Sequence, residues 1–546
     1  MVEGGVLPTL IHAFLPLLVV FVAVTYVYLG GEYGGHPTVH QNKAFVHPPD
    51  RKLIDKAELL QAQLSEEAAT RQRIEAHPKN VVLGFGACLD GVTRGTELLK
   101  ELKIGPVEHP QDHDVITSPQ DLAETFHYFF EHGAAAERYV SNKTLFDELV
   151  SGVRGFGDNY GSFWRFGGNA PHMGCRIQME GHKVLLGAHV SKELRDQFAT
   201  PLPVAGGLAP SSPEDSDDIH IILESVSDEQ WGNDTCPRAN RLALHSDAHS
   251  PYLRGIEEVE EEINSGAFNP DALVLGAFQM MDGFPFPSDG ERLQRLQRAR
   301  QLIDEQDPSV KVHVELASFA NSKFMKELYD TGMLTRIDSL GMNEQELATF
   351  TDFLRDCGLY AFLLLTLLVS KSATGDAGLI RASDSRPKVR SVLDALRNLW
   401  QLIEKANENS TSPRQVSRIH VHTLAFQAVM VKTGAWNRTA EAMSKASLIA
   451  FRHVCGFKTD EDIDLSKGKV LLYDTFVDSE DEDLAQRRDV IKTKHNNGVV
   501  CWDDTRDAES TDKVTICLSP NIICTKPVAT IAAGDNISGA AVAVQI

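Results

Sequence analysis

The stretch VKVHVELAS, residues 310–318, is a short run of β-branched residues with a carboxylate, Glu315, at its end, and helix-like sequence follows it. Five further runs of this kind recur along the chain: NVVLGFGA from Asn80, HKVLLGAHV from His182, DIHIILESV from Asp218, DALVLGAF from Asp271 and RIHVHTLAF from Arg418. Several are nearly continuous apolar runs, which is typical of strands buried on both faces. Their alternation with helical patterns indicates a parallel sheet with right-handed crossovers. The sequence therefore predicts a doubly wound α/β fold.

The composition is that of a globular protein, with 546 residues, 42% hydrophobic and 24% charged. This length suits two or three typical domains, or one large α/β domain with an attachment. The formal net charge is −23. Nucleic-acid binding needs a basic surface, so the charge argues against a nucleic-acid partner and favours small-molecule chemistry.

Residues 6–30 contain no Asp, Glu, Lys or Arg and are long enough to span a bilayer. We expect a signal peptide or signal anchor within residues 1–32, and the absence of a preceding basic residue favours an anchor that is uncleaved or poorly cleaved. The helical apolar spacing of residues 50–76 predicts a helical extension over residues 33–79.

The orientation of the membrane segment stays open on this sequence. The basic residues that follow it, Lys43, Arg51 and Lys52, weakly favour a cytosolic body. Five Asn-x-Ser/Thr sequons favour a luminal body: Asn142, Asn233, Asn409, Asn437 and Asn536. We expect a luminal or membrane-anchored protein of the endoplasmic reticulum, with secretion as the alternative.

Eight cysteines show no CxxC pair and no zinc-like spacing. Their pattern favours buried free thiols, although an oxidising compartment would allow one or two bridges.

Small or charged residues follow several predicted strands, where α/β sheets place their ligands. Asp90 in GACLDG and Glu137 in GAAAER could accept hydrogen bonds from hydroxyl groups. The alternatives are a turn aspartate and a surface helix glutamate. Gly167, Gly168 and Asn169 in FGGNAP suit polyhydroxyl recognition, and a simple turn fits them equally well.

A second set of candidates could serve phosphate and metal binding. Glu315 is poorly placed for an unpaired carboxylate, and GMNEQEL adds Asn343, Glu344 and Glu346 at another strand end. Oxygen ligands are what Mg²⁺ requires, whereas a structural ion pair is the alternative for each glutamate. Arg241 and His422 are candidate phosphate clamps, or else structural hydrogen-bonding groups.

The C-terminal stretch TIAAGDNISGAAVAVQI, residues 530–546, contains a glycine turn followed by helical sequence. Asp535 could simply cap that helix. Alternatively, the unpaired amides at the start of the helix form an anion site that suits phosphate.

The motifs GFGACLD, GAAAER, FGGNAP, RANRLAL, HVELAS, NEQE, RIHVHTL and AAGD resemble, in sequence order, those of ADP-dependent glucokinases in the ribokinase-like superfamily. The resemblance spans roughly residues 80–546. It implies a large α/β domain and a smaller, mainly β lid drawn mainly from about residues 88–145 and 165–235. It also implies a monomer that transfers the β-phosphoryl group of ADP to glucose with Mg²⁺.

The resemblance also implies a role for each candidate. Asp535 resembles the catalytic base and a metal-site group, with Ala533 and Gly534 in the anion hole and Arg241 as the clamp on the donor phosphates. Glucose binding falls to Asp90, Glu137, Gly167, Gly168 and Asn169. Glu315 and Glu346 resemble carboxylates that hold metal-bound water, Asn343 and His422 resemble nucleotide-side groups, and Cys455 with Cys524 is the implied disulfide.

One residue departs from the family turn Gly-x-Gly-Asp, because Ala532 replaces the first glycine. If that position requires φ > 0, alanine strains the turn by about 1 kcal/mol or more.

Two other functions stay open: an ADP-dependent phosphofructokinase or other sugar kinase, and an inactive sugar-binding relative. Glu137 argues against the phosphofructokinase, because a carboxylate repels an already phosphorylated sugar.

Overall fold

The computed structural model describes residues 52–210, 216–317, 319, 322–362, 387–407, 410–490, 498–504, 513–528 and 531–546. The predicted signal segment lies outside these residues, as does the predicted extension up to residue 51. None of the helices in the described ranges has the length and apolar character that a bilayer span requires.

The strands, in chain order, are β1 (Asn80–Gly84), β2 (Cys88–Arg94), β3 (Val115–Ile116), β4 (Ala136–Val140), β5 (Phe163–Gly167), β6 (Lys183–Gly187), β7 (Asp218–Ser225), β8 (Gln230–Trp231), β9 (Asp234–Thr235), β10 (Asn240–His245), β11 (Ala272–Leu275), β12 (Lys311–Glu315), β13 (Ser339–Asn343), β14 (Arg418–His422), β15 (Phe426–Lys432), β16 (Gly468–Lys469), β17 (Thr475–Val477), β18 (Arg487–Asp489), β19 (Val500–Asp504), β20 (Val514–Pro520) and β21 (Ile523–Cys524).

The α-helices are α1 (Lys56–Ala76), α2 (Gly95–Glu101), α3 (Pro119–His132), α4 (Lys143–Phe156), α5 (Asn169–Met179), α6 (Lys192–Arg195), α7 (Ile256–Asn264), α8 (Asp289–Asp304), α9 (Ser322–Asp330), α10 (Glu344–Phe362), α11 (Val389–Asn407), α12 (Thr439–Cys455) and α13 (Ala533–Gln545).

The larger sheet has nine strands in the order β19-β20-β15-β14-β13-β12-β11-β1-β6. The strands from β14 to β6 are all parallel, and β15, β20 and β19 extend the sheet in antiparallel pairing. The strand β11 reads ALVL and is buried at every position, as a strand covered on both faces should be. The carboxyl ends of β12, β13 and β14 therefore meet at one edge of the sheet.

The smaller sheet has six strands in the order β3-β4-β10-β7-β2-β5. Here β7 pairs in parallel with β2 and antiparallel with β10, while β5 pairs antiparallel with β2. A separate apolar core lies beneath this sheet and includes Phe126, Phe130, Leu223 and Leu244. The predicted lid limits stay a prediction, and β10 of this sheet lies beyond them.

Five of the six predicted strand runs form strands of the nine-stranded sheet. The run from Asp218 instead forms β7 of the six-stranded sheet. Its placement from the apolar pattern is therefore wrong, although the lid limits that the resemblance implies include it. Its side chains are mostly buried, so its apolar pattern does not distinguish the two sheets.

Helix α1 lies within the predicted extension and begins where Asp55 caps it. The Asp55 side chain accepts hydrogen bonds from the amides of Ala57 and Glu58, which satisfies donors that a helix start leaves unpaired. The C-terminal helix α13 carries the small buried residues Gly539, Ala540 and Ala541 and packs against α5 and α12. Small side chains allow this close approach.

Two disulfides are present among the described residues. Cys455–Cys524, which the resemblance implied, joins the end of α12 to β21, and Cys501–Cys517 joins facing residues of β19 and β20. Cys88, Cys175 and Cys236 are buried free thiols. The expectation of free thiols therefore holds for these three cysteines and is wrong for the four that are paired.

Candidate active site

Asp535 lies in the first turn of α13, three residues after a strained residue. Ala532 precedes the helix with φ 55° and ψ 19°, a left-handed conformation that an L-residue other than glycine adopts at a cost. Position 532 therefore has the positive φ at which alanine, unlike glycine, is strained. A Cβ on Gly534 would lie 2.7 Å from Cε1 of His422, so only glycine fits there. The turn brings the unpaired amides of the helix start to Asp535.

A side chain distant in the sequence, Asn169, orients the Asp535 carboxylate. Asn169, the first residue of α5, donates from Nδ2 to Oδ1 of Asp535 at 2.7 Å, and Gln279 Nε2 lies 3.4 Å from Asn169 Oδ1. Burial, and secondarily the negative charge of Glu315, raise the pKa of Asp535 to about 6. Near neutral pH this group is ionised but close to its titration range.

Glu315 is the centre of a buried hydrogen-bonded group at the end of β12. Its Oε2 accepts from Ser538 at 2.6 Å and lies 3.0 Å from His313 Nε2, and its Oε1 lies 3.0 Å from His422 Nε2. Burial opposes ionisation, but these partners hold the pKa of Glu315 far below its usual range. Burial likewise disfavours charge on His422, yet the contact with Glu315 raises the pKa of His422. Glu315 and His422 therefore form an ion pair.

Glu346 lies beside this ion pair, on the first turn of α10. Its two oxygens accept hydrogen bonds from the backbone amide and Nδ2 of Asn343, each at 2.8 Å. Burial, with added repulsion from Glu315 and Glu344, raises the pKa of Glu346 to about 8. Burial and the neighbouring carboxylates thus disfavour the charge on Glu346, and Glu315 and Glu346 offer oxygen ligands. Both properties fit a divalent cation such as Mg²⁺.

Asp90 lies in β2, over a pair of glycines. A Cβ on Gly167 would be 2.0 Å from Oδ1 of Asp90, and one on Gly168, whose φ is +88°, would be 2.4 Å from a backbone oxygen. Both positions therefore require glycine. Burial raises the pKa of Asp90, and Nε of Arg165 on β5 lies 3.8 Å from its Oδ2.

The sequence analysis missed His220 and Asp247, which link the candidates Asp90 and Glu137. His220 stands opposite Asp90 across the β2–β7 pair. Its Nε2 lies 3.0 Å from Oδ2 of Asp247, and its Nδ1 lies 3.6 Å from Oε1 of Glu137. Although burial opposes it, Asp247 raises the pKa of His220 well above its usual value. The buried group of His220, His245 and Asp247, like that of Cys88, Asp90 and His220, has metal-type ligands.

The six-stranded sheet packs against the turn that precedes α13. Val92, Ile222 and Ala243 from its strands form an apolar cluster with Ile531 and Ala532. Arg241, on β10 of the same sheet, is close enough for its charge to lower the pKa of Asp535. Predicted site residues from both sheets therefore lie near Asp535: Arg241 from the smaller sheet, and Glu315 and His422 from the larger one.

Comparison with known proteins agrees with this architecture. Residues 79–544 match the family model described as ADP-specific phosphofructokinase/glucokinase conserved region. The chain is 29% identical over 461 residues to ADP-dependent glucokinase of Bos taurus, covering 84% of this chain and 83% of that protein. It is 26% identical over 380 residues to probable ADP-dependent glucokinase of Caenorhabditis elegans, covering 69% of this chain and 70% of that protein.

Solved structures share the fold. An ADP-dependent kinase in complex with fructose-6-phosphate and ADPβS matches with a TM-score of 0.63 and 19% identity, covering 90% of this chain and 98% of that one. The last common ancestor of ADP-dependent phosphofructokinases from Methanosarcinales matches with a TM-score of 0.56 and 18% identity, over 90% and 98% of the two chains. The predicted ribokinase-like α/β fold class is confirmed. Because the family model covers most of the sequence, the chain belongs to the ADP-specific phosphofructokinase/glucokinase family.

Proposed function

We propose that this protein is an ADP-dependent glucokinase, which transfers the β-phosphoryl group of ADP to the 6-hydroxyl of glucose and releases AMP. The observation that carries the proposal is the position of Asp535. Its carboxylate lies at the amide-rich start of α13, held by Asn169 on one side and within the field of Arg241 on the other. An acceptor carboxylate beside amide and cationic donors is the arrangement that phosphoryl transfer needs.

In this proposal Asp535 accepts a hydrogen bond from the sugar 6-hydroxyl and takes its proton as the oxygen attacks phosphorus. A pKa of about 6 leaves the group ionised at neutral pH while keeping it a useful base. The amides of Ala533 and Gly534 bind the oxygens of the transferred group. Arg241 and the His422 imidazolium supply positive charge where negative charge develops, as transition-state stabilisation requires.

The charges around Asp90 support an unphosphorylated sugar as the substrate. Glu137, Asp90 and Asp247 all lie around His220. Carboxylates accept hydrogen bonds from sugar hydroxyls, but they repel a phosphate group. We therefore favour glucose over fructose 6-phosphate, which is the substrate that the phosphofructokinase alternative requires.

The cation in this proposal is Mg²⁺, and Glu346 and Glu315 would hold it. A cation would relieve the unfavourable charge of Glu346, whose pKa is raised, and Glu315 is fixed in position by three hydrogen-bond contacts. Bound Mg²⁺ neutralises phosphate charge during transfer. Asn343 orients Glu346 through two hydrogen bonds.

We also propose that the protein resides in the endoplasmic reticulum, luminal or anchored by its N-terminal apolar segment. Residues 6–30 are long and apolar enough for that targeting role. The disulfides Cys455–Cys524 and Cys501–Cys517 suit an oxidising compartment.

The function is tested by an assay of the purified full-length chain with every combination of two donors and two acceptors. The donors are ADP and ATP freed of contaminating ADP, and the acceptors are glucose and fructose 6-phosphate. We expect glucose 6-phosphate and AMP in equal amounts from glucose and ADP, and no transfer after a chelator removes divalent metal. Efficient use of ATP would contradict the donor assignment, and a preference for fructose 6-phosphate would contradict the acceptor assignment. No transfer in any combination by folded protein would favour the inactive relative.

A further inference from the structure

A buried ionic network connects the N-terminal helix α1 to the centre of the kinase fold. Glu67 of α1 lies 2.5 Å from Nζ of Lys445 on α12, and the same Nζ lies 2.7 Å from Oε2 of Glu180. The three residues are 3%, 3% and 2% exposed. Burial alone would raise the pKa of Glu67, but Lys445 and Arg452 lower it to about 2. Glu67 is therefore ionised, and Lys445 and Arg452 supply most of the compensating charge, with Arg71 of the same helix 3.6 Å from its Oε1.

The network continues from Glu180 to the turn at residues 531–535, which we call the catalytic turn because the proposed function places the base Asp535 there. Arg176 on α5 contacts Oε1 of Glu180 through Nη1 at 3.3 Å and donates from Nε to Oδ1 of Asn536 at 3.3 Å. Asn536 in turn donates from Nδ2 to the carbonyl oxygen of Ala532 at 3.0 Å. This last contact holds the one residue of the turn that has a left-handed backbone.

These contacts fix the orientation of the Asn536 side-chain amide and, through it, the backbone of Ala532. An asparagine amide can rotate, and Arg176 selects the orientation in which Oδ1 faces the guanidinium and Nδ2 faces Ala532. The strained conformation at Ala532 persists only where its surroundings impose it. Asn536 also follows Asp535 directly, so any relaxation of Ala532 moves the proposed base.

We propose that the Glu67–Asn536 network, which consists of Glu67, Lys445, Glu180, Arg176 and Asn536, positions the catalytic turn. Arg176 is its positioning residue, and α1 is thereby part of the construction of the active site. The inference rests on the proposed role of Asp535. Residues along such a coupled network typically change the coupled property by roughly 3- to 30-fold, and we expect this range for kcat.

The test compares Arg176→Lys with wild type, using full-length protein. Lysine keeps the positive charge beside Glu180, so the melting temperature should hold within a few degrees, but it cannot bridge Glu180 and Asn536 as the guanidinium does. We expect kcat to fall roughly 3- to 30-fold with little change in the KM for glucose. Glu67→Gln should show a smaller fall in kcat. The control is Glu66→Gln on the same helix, whose contact with Arg73 is a surface ion pair, and it should leave kcat unchanged.

The link to Ala532 is tested by combining Arg176→Lys with a second substitution, Ala532→Gly. Glycine adopts φ > 0 without strain, so in Ala532→Gly the turn no longer needs the network. Arg176→Lys should then change kcat less than twofold. An equal fall in both backgrounds would overturn the proposal, as would an unchanged kcat in Arg176→Lys.

Hydrogen–deuterium exchange separates this inference from the proposed reaction, because it requires no turnover. Amides within residues 531–540 should exchange faster in Arg176→Lys than in wild type, while those of β11 stay unchanged. Unchanged exchange in residues 531–540 would overturn the positioning role even if the kinase activity is present. Faster exchange without kinase activity in wild type would instead contradict the proposed function alone.

Discussion

Glu315, Asn343 and His422 are each the last residue of a strand in the parallel sheet, whereas Asp90, Arg165 and His220 lie inside strands and face one another across strand pairs. We call the first set, with Asp535, the strand-end half of the site, and the second, with Glu137 and Asp247, the cross-strand half. The first half is built by the fold itself, since parallel strands bring their carboxyl ends to one edge. The second half depends on register, because a shift of one residue would turn each side chain to the other face of the sheet. The two halves should therefore respond differently to substitution.

The largest effect should come from Glu315→Gln in the strand-end half. The change removes the charge that pairs with His422 and alters the acceptor for His313 and Ser538. Loss of a group that organises transition-state charge typically costs 10²- to 10³-fold. Steady-state kinetics should show a kcat at least about 10²-fold lower, with the KM for glucose little changed.

The control for that variant is Glu327→Gln, which removes a two-point contact with Arg292 away from the site. It should leave kcat unchanged. If Glu315→Gln instead raised the KM for glucose and left kcat unchanged, the proposed division of roles between the strand-end half and the cross-strand half would be wrong.

The complementary test in the cross-strand half is Glu137→Ala. A lost charged hydrogen bond to the sugar should weaken glucose binding by about 1–3 kcal/mol, while kcat changes less. Glu148→Ala, an exposed glutamate of α4, is the matched control. An unchanged KM for glucose in Glu137→Ala would show that this half does not bind the sugar.

The buried carboxylate of Asp535 should lower the free energy of unfolding of the ligand-free protein at neutral pH. Its folded pKa of about 6 lies above the ordinary value of 3.8. The folded state therefore binds protons more tightly than the unfolded state, and stability is lost as pH rises through this window. Allowing for partial solvent exposure, Asp535→Asn should gain about 2 kcal/mol at pH 7.5 and less at pH 5.

Urea denaturation without nucleotide or metal measures this difference. Equal free energies of unfolding for Asp535→Asn and wild type at pH 7.5 would mean that burial of the ionised carboxylate does not destabilise the folded protein.

The smallest effect should come from Ala532→Gly. Relief of the left-handed alanine should raise the free energy of unfolding by about 1 kcal/mol. Ala540→Gly, within α13, should instead lower it by about 1 kcal/mol, since glycine is a poor helix residue. A loss of stability in both variants would show that Ala532 is not strained.

The contrast between the two halves also explains what the sequence could predict. A carboxylate or histidine that ends an apolar run is visible in the sequence, so Glu315 and His422 were found. His220 and Asp247 were missed because their partners are set by the register of β2 against β7 and by a loop after β10. For the same reason the apolar pattern alone placed β7 in the wrong sheet, whereas the lid limits from the resemblance include it. Cys455–Cys524 came from the resemblance, whereas Cys501–Cys517 depends on the pairing of β19 with β20.

The role of Asp535 at the junction of both halves is tested most directly by single-turnover kinetics of Asp535→Asn with glucose, ADP and Mg²⁺. Asparagine keeps an oxygen for the contact with Asn169 but cannot take a proton. We predict that glucose affinity is retained while the rate of glucose 6-phosphate formation falls at least about 10²-fold, the usual scale for a lost acid–base group. A rate within twofold of wild type would contradict the account, because the carboxylate would then have no part in the transfer.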